Sequence, residues 1–302
     1  MGRKLRVGLR GDAMRLLRGG VVLCLPVLLG GCQLVLFDSK GTIGIDERNL
    51  ILLSVGLMLL VVVPAIFMAL FFAWHYRASN DKATYAPNWD YSGKIEAVIW
   101  GVPLLIITIL GVVCWQSTHA LDPARPIVAK AKPIHIEVVS LDWKWLFIYP
   151  AQNVASVNEV AFPVGVPVRF DITSDSVMNS FFIPQLGSQI YAMGGMDAKL
   201  YLIANAAGSY YGESANFSGS GFSGMSFKAL ALSDAAFNAW VANARRPSAE
   251  LGTTAYAELA KPSENTPVRY YSAVDPHLFG SIIAKYMKSG MEPMAQGVAN
   301  AR

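Results

Sequence analysis

The sequence predicts a membrane-anchored α+β protein, and three observations carry that class. Two uncharged apolar runs lie in the first 120 residues, each long enough to cross a bilayer. From residue 134 the chain turns to short runs of alternating or β-branched residues parted by Gly, Pro, Asn and Asp, the pattern of an all-β sandwich or barrel. From residue 233 helical spacing returns. At 302 residues and 53% hydrophobic content, the chain has room for an anchor and one further domain of roughly 150–200 residues.

The N-terminus has a basic start, an apolar stretch from Val21 to Leu29 and small residues before Cys32, which is the build of a secretory leader. Residues 1–31 carry six basic residues against Asp12, a net +5, so the total of +4 leaves −1 for the rest. The basicity therefore belongs to the leader and argues for neither nucleic acid nor anionic lipid as a partner. From residue 119 onward 14 basic residues face 14 acidic ones, with no acidic excess to steer a basic protein partner.

The first apolar run is Leu50 to Ala73, interrupted by Pro64, and the second is Ala97 to about Trp115, with Pro103 inside. Membrane helices tolerate such prolines where neighbours repair the lost hydrogen bond. Trp74, Trp100 and Trp115 fall near the ends of the runs, where amphipathic rings favour the interface. Arg77, Lys82 and Lys94 lie between the runs and Lys40, Arg48, Arg125, Lys130 and Lys132 flank them, so charge alone does not orient the hairpin.

A Pro-rich linker covers 122–133. Strands are expected at Ile134–Leu141, Trp143–Tyr149, Val157–Phe162, Val166–Ile172, Phe181–Ile183, Leu200–Ala204 and Phe227–Leu232. Ser233 is a natural N-cap for a helix burying Phe237, Trp240 and Val241. Asp275-Pro276 opens another, with Leu278, Phe279, Ile282, Ile283, Tyr286 and Met287 at helical spacing. Trp143 and Trp145, two apart on one strand, should share a face and pack in the core or against a partner. Cys24, Cys32 and Cys114 leave none for a disulfide in the β region. His75, His119, His135 and His277 are scattered without ligand spacing. No phosphate loop or Ser/His/Asp elbow is present.

Several motifs resemble known ones. Leu-Gly-Gly-Cys resembles the lipobox of bacterial lipoproteins, which implies cleavage before Cys32 and lipidation of its thiol. Processing on the outer face would then make the 75–96 loop cytoplasmic and everything after His119 periplasmic. Gly212 to Met225 reads GESANFSGSGFSGM and resembles the loop holding the binuclear copper of haem-copper oxidase subunit II, G-x-C-S-E-x-C-G-x-x-H-x-x-M. The cysteines fall on Ser214 and Ser218, the Glu on Asn216 and the His on Phe222, and Met225 alone is kept. Asp175 to Pro184 resembles the upstream D-x-x-H-S-F-x-x-P, with Asn179 at the His, Ser180, Phe181 and Pro184 in register and Asp175 one residue further upstream than the motif's Asp. Residues 186–196 resemble the turn between the two motifs, and Asp142-Trp143-Lys144-Trp145 resembles the tryptophan element beside the copper. Binuclear copper needs thiolates and imidazoles, so the frame stands without its chemistry. A divergent site of Met178, Met193, Met196 and Met225 has no common geometry in its favour, and methionines more often fill core gaps.

Lys94-Ile95-Glu96 resembles the K-I-E motif whose Glu marks the mouth of the K proton pathway; by charge alone Glu96 is a carboxylate favoured at a helix N-terminus. Tyr256, Tyr270 and Tyr271 lie in a stretch resembling the aromatic-rich extension of bo-type subunit II. Together these features identify the chain as a member of the subunit II family of bo-type ubiquinol oxidases. The resemblance implies a cupredoxin-like Greek-key sandwich and a complex that oxidises ubiquinol, reduces oxygen and pumps protons. It implies no catalytic residue, metal or other cofactor on this chain, with haems, copper and ubiquinol bound by subunit I. Expected partners are subunits I, III and IV and membrane lipid, but not cytochrome c or nucleic acid, at a bacterial inner membrane. The implied layout is leader 1–31, lipidated N-terminus and helices 32–118, cupredoxin-like domain 119–232 and helical, aromatic-rich extension 233–302. Two alternatives are an aa-type menaquinol oxidase subunit II and a stand-alone lipid-anchored cupredoxin scaffold.

Overall fold

The structure, a computed structural model, describes residues 34–84 and 86–290. The leader and Cys32 lie outside the described residues. Two long helices come first, α1 (Thr42–His75) and α2 (Gly93–Ala120). Both outrun the apolar segments that announced them, α1 by eight residues at its start. Hydrophobicity marks the part suited to lipid, whereas main-chain hydrogen bonding continues into the polar flanks. They pack on each other along Pro103, Ile106, Leu110, Val113 and Ser117 of α2, the residues least exposed on that helix. Most other side chains of the pair, and nearly all from Met58 to Trp74, are exposed, as expected of helices whose surroundings are apolar.

The β region is a two-layer sandwich. One sheet runs β12 (Arg269–Tyr271), β3 (Val154–Val157), β2 (Lys144–Tyr149), β1 (Ile134–Leu141), β5 (Val168–Ser174), β8 (Ala198–Leu202). The other runs β4 (Glu159–Pro163), β10 (Ser226–Leu232), β9 (Gly208–Ser214), β6 (Asn179–Ile183), β7 (Gly187–Ala192). The interior is aromatic: Phe181 touches the rings of Trp145, Phe147, Phe170 and Phe227 at 5.0–6.2 Å between centroids.

Three differences from the sequence reading have clear causes. The expected strand Val157–Phe162 is two strands in different sheets. Asn158 between them takes a left-handed φ of 57°, accepts from Trp145 N through Oδ1 and donates through Nδ2 to Thr266 O, so the chain turns a corner there. Strands β7 and β9 form where the sequence carries little strand signal, because glycine and serine give them weak β character. Gly212 of β9 is required all the same: a Cβ there would fall 2.2 Å from the Phe227 ring. Trp143 is not on a strand. It occupies the tight turn between β1 and β2 at φ 65°, so only Trp145 follows strand alternation into the core.

The C-terminal part is α3 (Asp234–Ala244), β11 (Glu250–Leu251), α4 (Thr253–Leu259), β13 (Ala273–Val274) and α5 (Leu278–Gly290). Ser233 caps α3, its Oγ accepting from Ala236 N. This region covers the outer face of the six-stranded sheet. Val139, Leu141, Leu146 and Ile148 point out from β1 and β2 and meet Tyr256, Leu259, Leu278, Phe279 and Ile282. That is why Lys144–Tyr149 reads KWLFIY, with large apolar residues on both faces: both faces are covered.

The start of α1 is seated on the β6–β7 turn. Gly41 N and Gly44 N donate to Gln185 O and Leu186 O at 3.0 and 2.9 Å. A Cβ on Gly187, whose φ is +116°, would lie 2.6 Å from Gly44 N. The Glu47 carboxylate accepts from Ser188 N at 3.1 and 3.2 Å and from Ser188 Oγ at 2.8 Å.

Candidate functional site

Antiparallel pairing of β6 with β9 puts Phe181 opposite Ser214, which brings Asn179 and Ser214 together on the inner side of the sheet. Asn179 is 1% exposed, and Ser214 Oγ donates to its Oδ1. The Ser214 N–H donates to Met225 O at 3.2 Å, and the Met225 side chain is buried. Asn216 Nδ2 donates to Met178 O at 3.0 Å, fastening the 210–225 loop to the segment before β6. Three of the six degenerate copper positions, Asn179, Ser214 and Asn216, thus join the two motifs through hydrogen bonds, and Met225 closes the second motif on Ser214.

The other two, Ser218 and Phe222, are engaged elsewhere. Ser218 O accepts from Trp143 Nε1 at 3.0 Å, while its own hydroxyl is buried without a hydrogen-bond partner among the described residues. Phe222 stands edge-on to Phe217 at 5.6 Å. The Trp143 ring lies flush on the loop, where a Cβ at Gly221 would fall 2.5 Å from it. A hydroxyl, an amide, a phenyl ring and a buried thioether do not make a binuclear copper site, which takes thiolates and imidazoles. The residues present do not fit that metal.

The surrounding polar groups tie the C-terminal region to this frame. Asp175, at the head of the upstream motif, has its side chain 3% exposed. It accepts from Tyr256 Oη at 2.7 Å and Lys285 Nζ at 2.6 Å. Burial, then the Asp175 carboxylate, push the Tyr256 phenol far up. Lys144, in the Trp-Lys-Trp element, is buried and donates to Asp142 O, Lys261 O and Ser263 Oγ at 3.0, 2.8 and 2.6 Å. Burial holds its ammonium below the usual lysine range. Glu159 accepts from Trp240 Nε1 and Tyr270 Oη. None of these ties was read from the sequence. The one signal was a lysine inside an otherwise apolar strand, which has to find acceptors.

On the outer face of β1, β5 and β8, His135 Nε2 meets Asp171 Oδ2 at 2.8 Å, and Arg169 binds the same carboxylate through Nε and Nη2 at 2.8 and 2.6 Å. Burial raises the Asp171 carboxyl, but the bonds from His135 and Arg169 outweigh it and hold the group below its usual value.

Glu96 belongs to a separate place, the first turn of α2. About 24 residues of helix, roughly 36 Å at 1.5 Å per residue, separate it from the β-domain end. Its carboxylate is exposed and makes no hydrogen bond or ion pair among the described residues.

Comparison with known proteins gives two family matches. Residues 135–231 match the family described as cytochrome c oxidase subunit II, periplasmic domain, and residues 246–290 match the COX aromatic rich motif. The cytochrome bo(3) ubiquinol oxidase subunit 2 of Pseudomonas aeruginosa is 59% identical over 87% of this chain and 80% of its own length. The ubiquinol oxidase subunit 2 of Acetobacter aceti is 55% identical over 86% and 85%. The quinol oxidase subunit 2 of Bacillus subtilis is 35% identical over 90% and 83%. Among solved structures, the periplasmic domain of cytochrome oxidase subunit II from Bradyrhizobium japonicum is 25% identical, covering 39% of this chain and 96% of its own, with a TM-score of 0.36.

Proposed function

The chain belongs to the subunit 2 family of cytochrome bo(3)-type ubiquinol oxidases, and from that premise we propose that it serves a proton-pumping ubiquinol oxidase as a subunit without a redox centre or active site of its own. The observation that carries the reading is the hydrogen bond of Ser214 to Asn179, two metal-ligand positions bonded to each other. A subunit built this way takes no electrons from cytochrome c. Ubiquinol, both haems and the oxygen-site copper then belong to subunit I, which α1 and α2 brace. Subunits III and IV complete the assembly, and a lipidated Cys32 anchors the N-terminus at the outer face of the inner membrane.

Glu96 is the proton-entry residue in this reading. A carboxylate with no partner among the described residues, at the mouth of a membrane helix, is free to exchange protons with water and pass them to an adjoining pathway. The β domain stabilises the assembly, because its ties to the start of α1 hold the membrane hairpin in one orientation.

The test is purification through a tag on this chain in mild detergent, followed by a haem spectrum, a copper count and oxygen uptake. Two haems, one copper and uptake with ubiquinol but not with reduced cytochrome c are expected. Three coppers with cytochrome c activity would overturn the reading. The copurified quinone separates a ubiquinol from a menaquinol oxidase, and recovery of this chain alone without haem would leave a scaffold.

A further inference from the structure

A cavity of about 210 Å³ lies where the outer ends of α1 and α2 meet the β domain. Ile43, Leu121, Asp122, Arg125, Ser188 and Tyr201 are among the residues lining it. It is too small for a quinone, since pockets for drug-sized molecules begin near ~300 Å³. Its level is set by the helices: α2 ends at Ala120, and Trp115, 70% exposed, stands one turn earlier, where aromatic belts mark the membrane interface. The cavity therefore sits among headgroups rather than in hydrocarbon or open water.

Its charges are one of each sign and are not spent on each other. Arg125 makes no ion pair among the described residues, and its side chain makes one hydrogen bond there, of 3.3 Å from Nη1 to His119 O. Asp122 accepts from Ala124 N through Oδ1, and Oδ2 makes no such bond among the described residues. Ser188 Oγ gives its proton to Glu47, so its lone pairs are left to accept. The Tyr201 side chain makes no hydrogen bond among the described residues, while its main chain holds the linker, Tyr201 N to Pro123 O at 3.0 Å. Pockets that select anionic lipids carry several basic residues; this one is neutral overall and dipolar.

We propose that this cavity seats the headgroup of one zwitterionic phospholipid of the outer leaflet, phosphatidylethanolamine in class, with its phosphodiester on Arg125 and Tyr201 and its ammonium on Asp122 and Ser188. The proposal rests on α1 and α2 crossing a bilayer, and recovery of the assembled wild-type complex from membranes checks that premise first.

The test compares the purified complex with its D122N/R125Q variant. Both side chains are exposed, so the variant is expected to fold. Bound lipids are extracted after graded detergent washing and counted per complex by phosphorus and mass spectrometry. The wild type should retain one phosphatidylethanolamine more than the variant. Adding that lipid back should raise the thermal midpoint of the washed wild type and not of the variant. Equal lipid counts would overturn the proposal, as would equal stabilisation by phosphatidylglycerol or by inorganic phosphate alone. Loss of another subunit from the variant at unchanged lipid count would assign the cavity to a protein segment and overturn it too.

Discussion

The degenerate copper frame and the mouth of α2 are the two places where the sequence promised chemistry, and they are built in opposite ways. In the frame, the polar side chains of Ser214, Asn216 and Trp143 are bonded within the chain. Ser214 is spent on Asn179, Asn216 on Met178, and Trp143 on Ser218. At the start of α2, the Glu96 side chain is bonded to nothing among the described residues. Groups satisfied within the chain hold a shape, whereas an exposed ionisable group at a membrane boundary has its use outside the chain. On this contrast, substitutions in the frame should change stability and leave turnover per assembled complex intact, and substitution of Glu96 should do the reverse.

The largest effect is expected in the core beneath the frame. Phe181→Ala removes a ring enclosed by four others and should lower stability by ~3–5 kcal/mol. Thermal denaturation of the purified complex, with yield of assembled enzyme, measures it. Next is Gly187→Val, which sets a β-branched residue at φ +116° against Gly44. The strain alone is ~1–3 kcal/mol, and assembled complex should fall further because the seat of α1 is pushed apart. Normal yield of active enzyme would show that the β domain does not orient the hairpin.

Acid should act through Asp171. Its folded pKa lies below the ordinary 3.8, so it contributes stability above about pH 4 that is lost as pH falls through the lower folded value. Glu137, raised by burial and then by the Asp171 and Asp197 charges against the favourable pull of His135, runs the other way: its contribution fades as pH rises past 4.5. Asp171→Asn should flatten the acid limb of a stability–pH curve taken on the complex, and an unchanged limb would remove this pair from the account.

Ser214→Ala should cost about 1 kcal/mol, the worth of a typical hydrogen bond with some charge for the acceptor left behind, with no change in oxygen uptake per haem. The smallest effect on stability, near zero, is expected for Glu96→Ala. That variant should assemble fully and slow the proton uptake that accompanies haem reduction. Unchanged reduction kinetics in the assembled variant would refute a proton-entry role.

The sequence by itself settled a good deal. Composition and run length gave the two apolar helices, because crossing a bilayer demands some 20 consecutive apolar residues and that demand is local. The order of the two degenerate motifs pointed to the family and to the missing ligands, because a metal site is a matter of residue type at fixed spacing. Ser233 as a cap was likewise local. Other features were decided in the tertiary structure. Asn158 turns a corner because its amide is taken by Trp145 and Thr266, which are 13 and 108 residues away. β9 is a strand despite its glycines because Phe227 needs the space above Gly212. Lys144 tolerates burial because residues 261 and 263 bring it oxygen acceptors. In each case the deciding partner is remote in sequence, and local pattern carries no information about what a distant segment will place against it.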